Sequence, residues 1–559
     1  MRRRLTRRAF VRALGVGGAG VLAAACEQGA RPPQASAPSA ATQSATAATG
    51  AKQGERLVVA TSQWGTETPY TWQGAAPERR LWDHAYDTLL RQDPKTGAYQ
   101  PGLATSWTHA PDYKSWTFQL RKGVMFHGTW GELTGEDVKF TVEQSLKPGV
   151  SGADTSYFKT FLDTIEIPDK YTVVMRFKSP TWELPSRFGI VNGLENIVCK
   201  KYLESVGLEK AAQHPIGTGP YRWVEGRQGD FHRFEANPAH WRKVPGFKEL
   251  VVRRVVDADA RLSGLRAGEI DLAEVTGDFV GRAKQAGFRI RETPGVIQYW
   301  MVLPGQTLPD KPDYSPSSPW VGDPNDPAAQ EKARKVRLAL NLAVNKQAIV
   351  DGLWGGFGAL TPFAEFFYPQ NAGYSADWKI PPYDPARAKQ LFAEAGYLNG
   401  FEIKVVATQQ QPDSPDVAEA VSQDWERVGL KVTRSQEDYG TFLPKIRARK
   451  IGGAFAYGLG NPYDEAVLAW QRLMLSTGAL YLLAESKDYD KSINAGVGEF
   501  DQVKRVQLQR EFGQRLYNDY RSVRLGVKSA TWATGKRVGD WPVMAPSTHA
   551  LGLEYVSPA

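Results

Sequence analysis

Residues Ser115–Leu146 read SWTFQLRKGVMFHGTWGELTGEDVKFTVEQSL, and this stretch decides the fold class. Trp116, Phe118 and Leu120 alternate with Thr117, Gln119 and Arg121, the two-residue period of a strand with one buried face. Past Gly131 the pattern changes: Thr134 is placed to cap a helix, and Asp137, three residues on, completes the spacing of a capping box. Tyr171–Ser179 alternates again, and Arg56–Trp64 opens on a strand-like apolar run. Two later stretches carry full helix signals. Asp384 caps one, Pro385 opens it and Gly396 stops it, with Ala388, Leu391, Phe392 and Ala395 on one stripe. Asp326–Pro327 begin the other, with Val336, Leu340, Ala343 and Val344 on one side. Strands interleaved with helices along the chain predict an α/β fold. Between them, Pro309–Pro327 is rich in Pro and Asp and reads as a long surface loop. The sequence has no internal repeat and no run apolar enough for a transmembrane helix.

The 559 residues allow two to four domains at roughly 150 residues each. Of the +9 formal charge, six arginines belong to residues 1–25, and 63 basic against 60 acidic groups remain for the rest. A nucleic-acid binder keeps its basic face on the folded body, so that class is disfavoured. The 17 Trp and 22 Tyr suit either core packing or a cleft lined by flat rings.

Arg7–Arg8 followed by Phe10 matches a twin-arginine export pattern. Ala13–Ala25 is only weakly apolar and too short for a hydrocarbon core that needs about 20 residues. A basic start, a short apolar run and small residues before Cys26 describe a signal peptide over 1–25. Leu22–Cys26 resembles a lipoprotein cleavage box, in which Cys26 receives lipid, although Ala23 stands where Leu is usual. Residues 26–54 form a tether of small and polar residues that bury nothing. With Cys26 lipidated no intrachain disulfide is available, and Cys199 reads as a small buried hydrophobe.

His214–Trp223, HPIGTGPYRW, places Gly217 and Gly219 two apart, as a phosphate-cradling loop does. It lacks the Lys-Ser or Lys-Thr of such a loop, and Pro220 removes an N–H that phosphate would need. The loop is read as structural.

Four stretches carry a resemblance. They are Tyr86–Glu143, His214–Gly226 leading to Asn237–Arg242, Arg261–Leu272, and Lys335–Ile349, in which Asn345 replaces a usual Asp. Together with Ala388–Tyr397, they resemble in order and spacing the family 5 extracellular solute-binding proteins of ABC importers, the peptide/nickel/oligosaccharide-binding group. The resemblance implies a two-lobed, periplasmic-binding-protein-like (type II) α/β fold with an extra subdomain and a cleft between the lobes. Lobe I is expected to collect 55–84, 214–296 and 525–559, the subdomain 85–213, and lobe III 297–524. Crossing strands act as hinges, ligand bridges the lobes, and a permease in the membrane receives the closed form. The partners implied are a small solute, ABC permease subunits and, through Cys26, a membrane surface. No cofactor, nucleic acid or chemistry is implied, and a monomer is expected. The location implied is the outer face of the cytoplasmic membrane or the periplasm.

Peptide-binding members hold the ligand's amine with an Asp in a Trp-x-x-Asp-like stretch. Aligned on Ala454–Glu465, Phe455 stands over that Trp and Gly458 over that Asp, leaving Asp464 as the nearest carboxylate. A buried ammonium without an anion is costly, which favours an oligosaccharide or an atypical peptide. The resemblance and the aromatic content select Gln63, Trp64, Thr66, Tyr70, Trp300, Tyr457, Asn461, Tyr463 and Asp464 as ligand-contacting candidates, with packing as the alternative for each aromatic. Seven scattered His show no ligand spacing for a metal, and His127 reads as structural. Binding of ordinary di- or oligopeptides, as in typical members, is the alternative; a secreted hydrolase is a further one, but neither a Gly-x-Ser-x-Gly elbow nor a His-Glu-x-x-His motif is present.

Overall fold

The computed structural model describes residues 53–559 apart from 63, 65–66, 74–78, 94–97, 151–154, 190–195, 370, 409–412, 461–464, 479 and 543–551. The signal peptide, Cys26 and nearly all of the tether therefore lie outside the described residues.

In chain order the strands are β1 (Gly54–Thr61), β2 (Leu90–Gln92), β3 (Tyr99–Pro101), β4 (Ala104–His109), β5 (Ser115–Leu120), β6 (Leu162–Asp169) and β7 (Thr172–Phe177). Next come β8 (Tyr221–Arg227), β9 (Phe231–Ala236), β10 (Phe247–Arg254), β11 (Leu272–Glu274), β12 (Arg289–Val302) and β13 (Gly358–Ala359). β14 (Glu402–Thr408), β15 (Lys431–Glu437), β16 (Phe455–Gly460) and β17 (Ser522–Thr534) complete the set. The alternation read in β5 and β7 is real, with Trp116, Phe118, Leu120, Val173, Met175 and Phe177 buried. These strands belong to a four-stranded antiparallel sheet in the order β4-β5-β7-β6. The helix Gly135–Leu146 that follows starts at the capping box, where the Asp137 carboxylate accepts the Thr134 N–H at 2.9 Å.

The helix Pro385–Glu394 is capped by Asp384, which accepts from the Arg387 N–H, and Ala388, Leu391 and Phe392 are buried on its inner stripe. The stretch from Asp326 is broken rather than continuous. Its helix spans Pro327–Leu342, and Asn345 then caps a separate turn, Lys346–Ala348.

One nine-stranded sheet runs β16-β12-β17-β11-β1-β10-β9-β8, with β13 on β17. Within it β12 and β17, 14 and 13 residues long, pair antiparallel along their lengths and pack into separate cores at their two ends. At one end Ala533 and Ile290 pack with Val58, Leu262 and Ala273, and Trp532 joins Leu57, Phe234 and Leu250. At the other end Tyr299, Met301, Val523 and Leu525 pack with Leu340, Trp425 and Ala456. The ribbon loses register between Thr293 and Ile297, where the partner strand steps only from Ala530 to Lys528. Pro294 has no N–H to give to the ladder, and Gly295 takes a positive φ of 61°. Backbone pairing is therefore interrupted between the two cores, and a chain can flex at such a point without dismantling either.

The glycines of the His214–Trp223 stretch have a steric reason. A Cβ on Gly217 would stand 2.0 Å from the Ala85 carbonyl oxygen, and one on Gly219 would stand 2.5 Å from the Ala85 carbonyl carbon. Backbone lies against backbone here, with the Gly219 N–H donating to Ala85 O at 3.0 Å and Tyr221 N–H to His84 O at 2.9 Å.

Candidate functional site

The β12–β17 ribbon carries a cluster of buried polar groups. Tyr299 on β12 faces Gly458 on β16 in the ladder. A Cβ at Gly458 would lie 2.5 Å from the Tyr299 ring, so the ring occupies the space into which any side chain at 458 would grow. The Tyr299 hydroxyl donates to Asp413 Oδ1 at 2.9 Å and lies 3.3 Å from Ser414 Oγ. Burial, followed by the nearby Asp413 carboxylate, pushes this phenol well above its ordinary pKa, so it stays a donor. Lys528 on β17 brings its ammonium to 2.9 Å from Asp413 Oδ2. Gly458→Asp should therefore cost about 1–3 kcal/mol through overpacking against the Tyr299 ring, read as a lowered melting temperature. An unchanged melting temperature would show that the ring gives way freely.

Next to this cluster Trp300 is fully buried, edge-on to Phe366 at 5.3 Å and tilted against Tyr457 at 6.1 Å. Its indole N–H has no hydrogen-bond partner among the described residues. Trp64 and Tyr70 lie in the other core. The Trp64 indole donates to Glu67 Oε1 at 2.8 Å, and Tyr70 stacks on Trp72 at 4.8 Å. The structure thus brings Trp300 and Tyr457 together and packs Trp64 and Tyr70 around β1. Gln63, Thr66, Asn461, Tyr463 and Asp464 lie outside the described residues.

Away from the ribbon, a seam joins residues 113–182 to residues 497–505. The Trp182 indole donates to Val497 O at 2.9 Å, and the Arg505 guanidinium lies 3.7 Å from the centre of the same ring. Arg505 is held there by both oxygens of Glu465, each at 2.7 Å. Tyr113 meets Phe500 at 5.4 Å.

Sequence reasoning missed Lys528, Asp413, Tyr299 and Trp182. Lys528 is a charge inside a strand whose 13 residues are all buried, a burial that only the structure reveals. Among the described residues no group of three His, Cys, Asp or Glu is placed to hold a metal ion, and no helix is long and apolar enough to cross a membrane.

The family model described as bacterial extracellular solute-binding proteins, family 5 Middle, matches residues 98–477, more than half of the chain. The chain belongs to this family. As a family 5 solute-binding protein it binds rather than transforms its solute and is not an enzyme. It is 28% identical over 454 residues to a dipeptide-binding protein of Escherichia coli strain K12, covering 76% of this chain and 80% of that one. It is 25% identical over 463 residues to heme-binding protein A of Haemophilus influenzae, covering 78% and 80%. The fold matches the ABC transporter substrate-binding protein CtaP of Listeria monocytogenes with a TM-score of 0.75 at 20% identity, over 91% of this chain and 100% of that one. It matches the oligopeptide-binding protein AppA of Bacillus subtilis, solved with a nonapeptide, with a TM-score of 0.72 at 19% identity, over 91% and 100%. The expected two-lobed α/β binding-protein fold is thereby established.

Proposed function

We infer that this solute-binding protein captures an oligosaccharide or an atypical peptide by closing two lobes about β12 and β17, and delivers it to an ABC permease. The observation that carries the ligand class is the Tyr299 ring beside Gly458, which leaves no room for a carboxylate at that position. Relatives named for dipeptides and heme, and a related structure solved with mannopinic acid, indicate how widely solute chemistry varies on this fold. The Trp300 N–H, buried beside Tyr457 and without a hydrogen-bond partner among the described residues, is the donor that lobe opening would present to a ligand acceptor. Lobe I comprises 55–84, 214–296 and 525–559, the subdomain 85–213, and lobe III 297–524. The seam at Trp182 then spans the cleft and stabilises the closed form. Cys26 carries the lipid after twin-arginine export, and residues 26–54 tether the body to the outer face of the membrane. The other candidates, Gln63, Trp64, Thr66, Tyr70, Asn461, Tyr463 and Asp464, are proposed as further ligand contacts.

Thermal unfolding against panels of short peptides and short oligosaccharides tests this reading. A ligand at 100 times its Kd adds about 2.7 kcal/mol. A rise with oligosaccharides or N-blocked peptides is expected. A rise confined to ordinary free-amine peptides would overturn the ligand assignment.

A further inference from the structure

Lys528 lies on the ribbon between Ile297 of β12 and Gly358 of β13, directly beside the break in register. Its side chain is 6% exposed, and that of its partner Asp413 is 7% exposed. The contact is an ion pair rather than a directed hydrogen bond, since Asp413 Oδ2 has no hydrogen-bond partner among the described residues. Asp413 is also the N-cap residue of the helix Ser414–Arg427, where an Asp side chain ordinarily accepts from the first-turn N–H groups. Here it makes no capping bond, and its carboxylate is given over to the Tyr299 phenol and the Lys528 ammonium. A buried ion pair is a weak source of stability, because both ions lose water and apolar side chains of the same size serve as well. Fold stability therefore does not explain why a strand buried along its whole length carries a lysine at this point.

We propose that Asp413, whose other carboxylate oxygen accepts from Tyr299, forms an ammonium site that this chain fills with its own Lys528, so that it admits solutes whose corresponding end carries no free amine. The proposal rests on the solute-receptor reading and specifies its ligand. With Lys528 in place the pair is electrically neutral, and an incoming ammonium would meet a second cation across a few ångströms of poorly hydrated protein. A sugar hydroxyl or an acylated nitrogen meets no such repulsion. Gly458 contributes by absence: it leaves the space beside it to the Tyr299 ring, whose hydroxyl reaches Asp413.

Lys528→Ala vacates the ammonium position and leaves the carboxylate. Its melting temperature should fall below that of the wild type and recover most of the loss in ethylammonium chloride, but not in sodium chloride of equal ionic strength. The wild type and the double variant Asp413→Asn/Lys528→Ala should not respond. Should the single variant fail to fold, its refolding yield with and without ethylammonium gives the same reading. In a second arm, alanyl-leucine should bind Lys528→Ala ~10-fold or more tighter than it binds the wild type, with no such gain for N-acetyl-alanyl-leucine. Absence of selective rescue, or equal rescue of the double variant, overturns the proposal. So does rescue without the gain for the free dipeptide. Tight binding of alanyl-leucine by the wild type overturns it while leaving the receptor reading intact. The receptor reading fails in a different way, with rescue preserved and the wild type binding no peptide or oligosaccharide.

Discussion

Replacing Asp87 by alanine should lower the unfolding free energy by about 3–5 kcal/mol, the cost of removing one member of a buried ionic network. Asp87 is 1% exposed in its side chain and gathers groups from distant parts of the chain. Its Oδ1 accepts from Arg242 at 2.9 Å, and its Oδ2 accepts from Trp241 at 2.9 Å and Thr218 at 3.1 Å, with His240 at 3.2 Å. Arg242 continues the network to Glu554 Oε1 at 2.8 Å, near the C-terminus. Burial alone would raise the carboxyl pKa. The Arg242 charge, and then the His240 and Trp241 contacts, outweigh it and hold the group well below the usual carboxylate range. Its contribution is therefore present above the unfolded pKa of about 3.9 and lost only as pH falls through the lower folded value. Urea denaturation at neutral pH measures the loss. A change under about 1 kcal/mol would mean that Arg242 finds full compensation in Glu554.

The second large effect is acid-dependent and centres on His127. Its Nε2 lies 2.9 Å from Gly219 O, and its Nδ1 faces the Gly217 N–H at 3.4 Å. One ring nitrogen thus donates and the other accepts, which only the neutral imidazole can do. Burial lowers its pKa to about 4. Because the folded value lies below the unfolded value of about 6.5, the unfolded chain binds more protons between these pH values. Stability is therefore lost as pH falls through that window, by about 3 kcal/mol in all. Asp87 stays ionised there. His232, also lowered by burial, titrates in the same direction, so the quantity to read is the difference between the wild type and His127→Gln. His127→Gln keeps a donor and an acceptor but does not titrate, and it should flatten the slope between pH 6.5 and 4. An equal slope in both proteins would assign the acid sensitivity elsewhere.

These two networks explain what was legible in the sequence and what was not. The period-two strands at Ser115–Leu120 and Thr172–Phe177 and the capped helices were readable because their signals are local: a side chain every second residue, or an Asp followed by Pro. The paired glycines of His214–Trp223 were readable as tight backbone, but not their partner. Ala85 approaches from 132 residues away in sequence to Gly217, and nothing in the local pattern marks it. The absence of a carboxylate at 458 was visible, whereas the Tyr299 ring that fills the space became visible only when β12 and β16 were placed in register. Asp413 and Lys528 are 115 residues apart, and their pairing depends on the loop after β14 and the ribbon meeting in space. The helix from Asp326, read with Ala343 and Val344 on its apolar side, ends at Leu342, and Asn345 offers its side chain to the Ala348 N–H and starts a new turn.

On the proposed function, the protein encloses a solute by flexing β12 and β17 where their pairing breaks at Pro294–Gly295. Solution X-ray scattering of the protein, with and without the panel solute that raises its melting temperature most, tests this directly when the solute is afterwards recovered and analysed. On binding, the radius of gyration should fall, each chain should hold one solute, and the solute should be returned chemically unchanged. A radius that stays the same at saturation, or a solute returned cleaved, would contradict it.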